Sequence, residues 1–144
     1  MSVSIQIQLS PQALAISEKF KRAPEQFPRA IQRGMNRALL ITAGRIQERR
    51  LTGKGPFPIS FHKLGERSGQ LKLRTRSQNA RILNQGREIV VEGAIGSSVV
   101  YAAANEFGSP KRHIPERAPF RTGIRENARF ISDTINKEIE RTLA

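Results

Sequence analysis

Phe27, Ile31, Met35, Ala38, Thr42 and Ile46 recur at spacings of three or four residues, the longest helical signal in the chain. A stripe of that length has to be covered by a sheet or by other helices, so it fixes the first demand on the fold. Pro28 is compatible only with a helix that starts near it, after the break at Ala23-Pro24. Gly34 and Gly44 each weaken such a helix by about 1 kcal/mol relative to alanine. Arg22, Arg29, Arg33 and Arg37 fall on the opposite face of the wheel, so the predicted helix is amphipathic with a basic outer face.

The remaining segments suggest what covers the stripe. Val3, Ile5, Ile7 and Leu9 alternate with polar residues and predict a strand over 3–9. Ser10 offers a helix cap and Pro11 suits a first helical turn, predicting a helix from Pro11 to about Lys21. Residues 51–69 hold four glycines and two prolines and predict a long loop, of a length that is uncommon unless functional or ordered by a partner. In 70–77 the alternation of Leu71, Leu73 and Thr75 favours an extended segment over a short helix. Two strands joined near Asn84-Gln85-Gly86 predict a hairpin, and Val99 to Glu106 predicts one or two helical turns ended by Gly108. A basic loop covers 109–119. Ile124, Ala128, Ile131, Ile135 and Ile139 then predict a C-terminal helix that covers the sheet. The expected fold is α+β: a single domain over residues 1–144, with an antiparallel sheet packed against a long helix and a C-terminal helix, and with long loops.

Composition narrows the chemistry. The 144 residues suit one domain, and a chain of this size buries roughly two-thirds of its unfolded surface. Eighteen Arg and seven Lys against twelve acids give a net charge of +13, which points to anionic partners, nucleic acid or acidic protein. With no cysteine, disulfides, thiolate metal sites and cysteine nucleophiles are excluded. No apolar run approaches the ~20 residues of a membrane span, and the alternating N-terminus lacks the apolar stretch of a signal peptide, so a cytosolic site of synthesis is expected.

Enzymatic readings find little support. Asp133 is the only aspartate, leaving few ligands for a multi-carboxylate metal site, and no metal or cofactor is expected. His62 and His113 have the chemistry of a general acid-base pair, but both fall in predicted loops beside basic residues, where solvated histidines are commoner. Thr52-Gly53-Lys54-Gly55 departs from a P-loop, because Glu48 stands at the first glycine and Gly55 replaces the magnesium-binding hydroxyl. Base-stacking platforms are poorly served by one Tyr, no Trp and Phe residues that suit a core. The arginine stripe has two readings, a solvated or protein-facing surface and a track for a phosphate backbone.

Val100-Tyr101-Ala102-Ala103-Ala104-Asn105-Glu106-Phe107-Gly108, a basic loop, and then Ile114-Pro115-Glu116-Arg117-Ala118-Pro119-Phe120-Arg121 form a recognisable pattern. It resembles that of small tail-completion and head-tail joining proteins of long-tailed bacteriophages. In that family a Tyr-Ala pair leads into a glutamate, an aromatic and a glycine, and a Pro-aromatic pair opens the last helix. The Ser68-Gly69-Gln70-Leu71 step and the order of elements fit as well, over most of the chain. Two features depart from the pattern: the loop before Ser68 is long, and Ala118 interrupts the usual Arg-Pro-Phe order.

The resemblance implies a non-enzymatic virion protein that completes the tail or joins head to tail, as a homo-oligomeric ring around the DNA channel. Its expected partners are other phage head, connector or tail proteins, with non-specific DNA contact and no membrane, in the virion and, during assembly, in the host cytoplasm. Tyr101, Glu106, Phe107, Arg117 and Phe120 are the expected subunit or partner contacts, with Glu106 meeting an arginine of the next subunit. Arg22, Arg29, Arg33 and Arg37 would face DNA or an acidic partner, and the loops 51–69 and 109–119 would become ordered on partner proteins. The alternative is a basic nucleic-acid-binding protein of ribosomal or chromatin type. The charge is uneven: residues 1–72 carry 13 basic and 4 acidic groups, residues 73–144 carry 12 and 8. The half with the motif is therefore the better suited to subunit contacts.

Overall fold

A computed structural model describes residues 1–9, 26–65, 69–85 and 88–143. The expected helix from Pro11 and the position of Arg22 lie outside these residues. The stripe on the long helix folds as its spacing requires: α1 spans Gln26–Arg50 and buries Phe27, Ile31, Met35, Ala38, Thr42 and Ile46. Strands β1 (Ser2–Leu9), β2 (Thr75–Gln85) and β3 (Glu88–Ser97) form an antiparallel sheet in the order β1-β3-β2. Val3, Ile5 and Ile7 pair with Ile95, Gly93 and Val91, so the alternation read in the sequence sets the register. The short helices α2 (Gln70–Leu73) and α3 (Ala102–Phe107) flank the hairpin, and α4 (Pro119–Glu126) and α5 (Ala128–Leu143) close the chain. The fold is mixed α+β, with the sheet, the long helix and the C-terminal helix in one compact domain.

Two local readings change. Gln70–Leu73 is a helical turn, and strand begins only at Thr75. Leu71 and Thr75, four apart, are buried while Leu73 is exposed, so the apparent alternation over 71–75 was a coincidence of spacing. The C-terminal helical signal divides at Asn127. The Asn127 amide donates to the Gly123 carbonyl at 2.7 Å and accepts from Arg45 at 2.7 Å, an arrangement that competes with a continuous helical ladder. Beyond the break α5 runs along α1, which therefore has the sheet on one side and α5 on another.

Burial on two sides requires close approach. A Cβ on Gly34 would lie 2.8 Å from the Ile135 Cα of α5. One on Gly93 would collide with Leu39 and Met35, and one on Gly123 with Ile46. Glutamine and asparagine side chains of α1 complete the joint with the hairpin. A bulge between Gln78 and Arg81 interrupts the β2-β3 ladder. Within it, the Ala80 N–H donates to Asn36 Oδ1 at 2.6 Å and the Ala80 carbonyl accepts from Gln32 Nε2 at 2.7 Å. Gln47 Nε2 donates likewise to the carbonyls of Lys72 and Thr75 at 2.8 and 2.9 Å, fixing the passage from α2 into β2.

The two glycines of α1 thus differ in kind. Nothing lies within 4 Å of a Cβ added at Gly44. Gly44→Ala should raise the unfolding free energy by about 0.5–1 kcal/mol, the helix-propensity gain. Gly34→Ala should lower it by about 1–3 kcal/mol, because the backbone of α5 must shift. Urea unfolding followed by circular dichroism checks both signs.

Candidate partner-contact site

The two halves of the Tyr101 to Arg121 pattern meet around one carboxylate. Gly108, at φ 78 and ψ 163, turns the chain out of α3 in a conformation that side chains disfavour. Ser109 and Ile114 then exchange backbone hydrogen bonds of 2.9 and 3.0 Å, closing the basic loop on itself. The chain returns to open α4 with Pro119 in its first turn, but the cap residue Ala118 has no side-chain acceptor for the free N–H groups. Glu106 supplies it from fourteen and fifteen residues upstream. Its Oε2 accepts from Phe120 N and its Oε1 from Arg121 N, both at 2.9 Å.

The charge is balanced on the spot. Arg121 Nε donates to Glu106 Oε1 at 2.9 Å, and Arg121 Nη2 reaches the Glu106 carbonyl at 2.7 Å and Glu116 Oε1 at 2.5 Å. The guanidinium also lies over the Phe107 ring, 4.8 Å from its centroid. The hydrogen bonds to Glu116 and then to Glu106 raise the Arg121 pKa above the ordinary arginine value. Any stability this contributes is present at neutral pH, where the guanidinium is charged in both folded and unfolded chain, and fades in strong alkali. An ionised carboxylate is acceptor-only and suits the positive end of a helix dipole, which explains a fully buried glutamate here.

Arg117 makes the second tie. Its N–H donates to the Asn105 carbonyl at 3.0 Å, and its Nη1 donates to the Phe57 carbonyl at 2.7 Å. His62 Nδ1 meets the Arg117 carbonyl at 2.9 Å. Arg50 binds the same loop from α1, donating to the Phe61 carbonyl at 2.5 Å while pairing with Glu126. The described part of the long loop, 51–65, and the basic loop 109–119 are thus held by groups of this chain.

The expected contact residues separate into two groups. Glu106 and Phe120 are fully buried and serve the chain's own core, and the arginine that Glu106 meets is its own Arg121. They are corrected from subunit contacts to internal supports, and Arg117 likewise is committed to in-chain carbonyls. Tyr101 and Phe107, 42% and 53% exposed, remain available at the surface. Beside Tyr101 lie Val100, the most exposed large apolar side chain among the described residues at 93%, and a cleft lined by Gln70, Arg74, Ser98 and Val99. Among the basic residues, Arg29, Arg33 and Arg37 are exposed on α1, and Arg33 is paired with Glu138 at 3.1 Å. Arg121 and His62 were not expected to carry weight. Arg121 stands at the end of the quoted pattern, directly after Phe120, which was the available signal; His62 offered none.

Glu106→Gln replaces one of the two carboxylate acceptors by an amide donor facing backbone N–H or Arg121 Nε, and leaves Glu116 as the acid paired with Arg121. It should lower the unfolding free energy by about 2–4 kcal/mol in denaturant titration. Arg117→Met should leave helical content unchanged but speed amide hydrogen exchange across 57–63, read by mass spectrometry. No family model, curated protein or solved structure matches this chain.

Proposed function

We propose that this protein is a non-enzymatic structural protein of a long-tailed bacteriophage that completes the tail or joins head to tail, acting as one member of a ring around the DNA channel. One observation carries the reading. The two separated segments that resemble the phage family form a single unit through the Glu106 carboxylate on Phe120 and Arg121, with Tyr101 and Phe107 left exposed on its surface. The pattern therefore has a physical reason as a whole: buried members build a rigid mount, and exposed aromatic members are carried on it. Val100 and Tyr101, at the cleft they share with Val99, supply the apolar contact expected of an assembly part. The net charge of +13 suits a component whose neighbours include DNA and acidic protein surfaces.

A second reading, a basic nucleic-acid-binding protein, draws on the same charge and on the exposed arginines of α1. Filter binding against salt separates them: tight binding with a steep salt slope favours the second, weak sequence-blind binding the first. The decisive test is removal of the gene from the phage genome, with particles viewed by electron microscopy. Unjoined heads and tails are expected, restored by the wild-type protein but not by Tyr101→Asp, whose stability should stay within about 0.5 kcal/mol. Normal joined particles without the gene would refute the reading.

A further inference from the structure

The outer side of α1 carries a feature that the site above does not use. Where α1 and α5 lie side by side, a groove of about 260 Å³ opens between Arg37 and Ile41 of one helix and Phe130, Thr134, Lys137 and Arg141 of the other. Its apolar lining is Ile41 and Phe130. Ile41 is 39% exposed, and Leu40, the preceding residue on α1 but outside the lining, is 66% exposed. Its rims are basic. Glu138, the acid within the groove, is bound to Arg33 at 3.1 Å and lies 3.9 Å from Arg141. Arg37 and Lys137 form no ion pair among the described residues. Even with Asp133, one turn before Lys137, set against Arg33, Arg37, Lys137 and Arg141, positive charge remains in excess.

We infer that this groove is a docking site for an acidic amphipathic helix of a different protein. Its apolar side chains would lie over Ile41 and the edge of Phe130, and its carboxylates would meet Arg37, Lys137 and Arg141. Two neighbouring helices with an apolar seam present the geometry into which a third helix packs, with anchors at i, i+3 or i+4, and i+7. Charge complementarity selects the occupant. A second copy would bring another +13 to a face already positive. Nucleic acid would satisfy the basic rims but would find no free stacking platform, because the aromatic ring of the lining, Phe130, is already covered by Arg45, 4.0 Å from its centroid. The inference is independent of the assembly in which the protein serves.

The test is fluorescence anisotropy with the full chain at physiological salt. The probe is a labelled peptide of about 20 residues with leucines at helical a and d spacing and glutamates on both flanks. Controls are the same composition scrambled to destroy the apolar stripe, and a duplex oligonucleotide. The patterned peptide should bind, the scrambled one at least about tenfold more weakly. Arg37→Glu combined with Lys137→Glu should weaken binding by about tenfold or more, and Ile41→Asp should do the same without a change in the circular dichroism spectrum. Arg81→Glu, at a side chain 73% exposed on the sheet, should have little effect. Failure of the patterned peptide to bind, equal binding of the scrambled one, an equal loss from Arg81→Glu, or full displacement by the oligonucleotide would each overturn the inference.

Discussion

The constraint on which the structure depends is that one helix is buried from two directions. A surface helix needs one apolar stripe, whereas α1 must meet a sheet through Met35 and Leu39 and a second helix through Gly34. Side chains that fill both interfaces would hold the layers apart, so backbone has to touch side chain or backbone at three places. Those places are Gly34, Gly93 and Gly123, one each on α1, β3 and α4. Helix propensity lost at Gly34 is offset by dispersion attraction along the whole α1-α5 seam, which close approach of the two backbones strengthens.

Glu106 extends the same central packing to the far end of the chain. Without it, α4 would start at Ala118 with its first N–H groups buried beside Phe120 and no acceptor. A carboxylate serves better than an amide because every group facing it is a donor. The motif that suggested an interface is thus half scaffold and half surface. The distinction is drawn by burial: Glu106 and Phe120 face inward, Tyr101 and Phe107 outward, within a single stretch of twenty residues.

Periodicity made the regular elements legible. The six-residue stripe of α1, the alternation of β1 and the two strands of the hairpin each carry their burial in their spacing. What stayed hidden depends on partners distant in sequence. Leu71, Leu73 and Thr75 fit either period, and the burial of Leu71 and Thr75 together with the contact of Gln47 with the carbonyls of Lys72 and Thr75 goes with the helical turn. The break at Asn127 needs Arg45, and the role of His62 needs the carbonyl of Arg117. Within the candidate site, the attraction of Glu106 to an arginine followed from charge, but which arginine did not. A buried carboxylate takes the nearest donors available, and these stand in its own chain across a fourteen-residue excursion.

The bulge in β2 has a consequence for how the chain comes together. Asn36 and Gln32 serve the N–H and carbonyl of Ala80 across separations of 44 and 48 residues. Sliding α1 by a single turn, about 5.4 Å, would carry both amides past the bulge and leave two buried backbone groups without partners, at about 1–3 kcal/mol each. The backbone of the bulge is complete only when α1 is docked, because its Ala80 groups are satisfied by side chains of the helix. The two amides thus act as a stop that fixes the docking register of α1 on the hairpin through contacts distant in sequence.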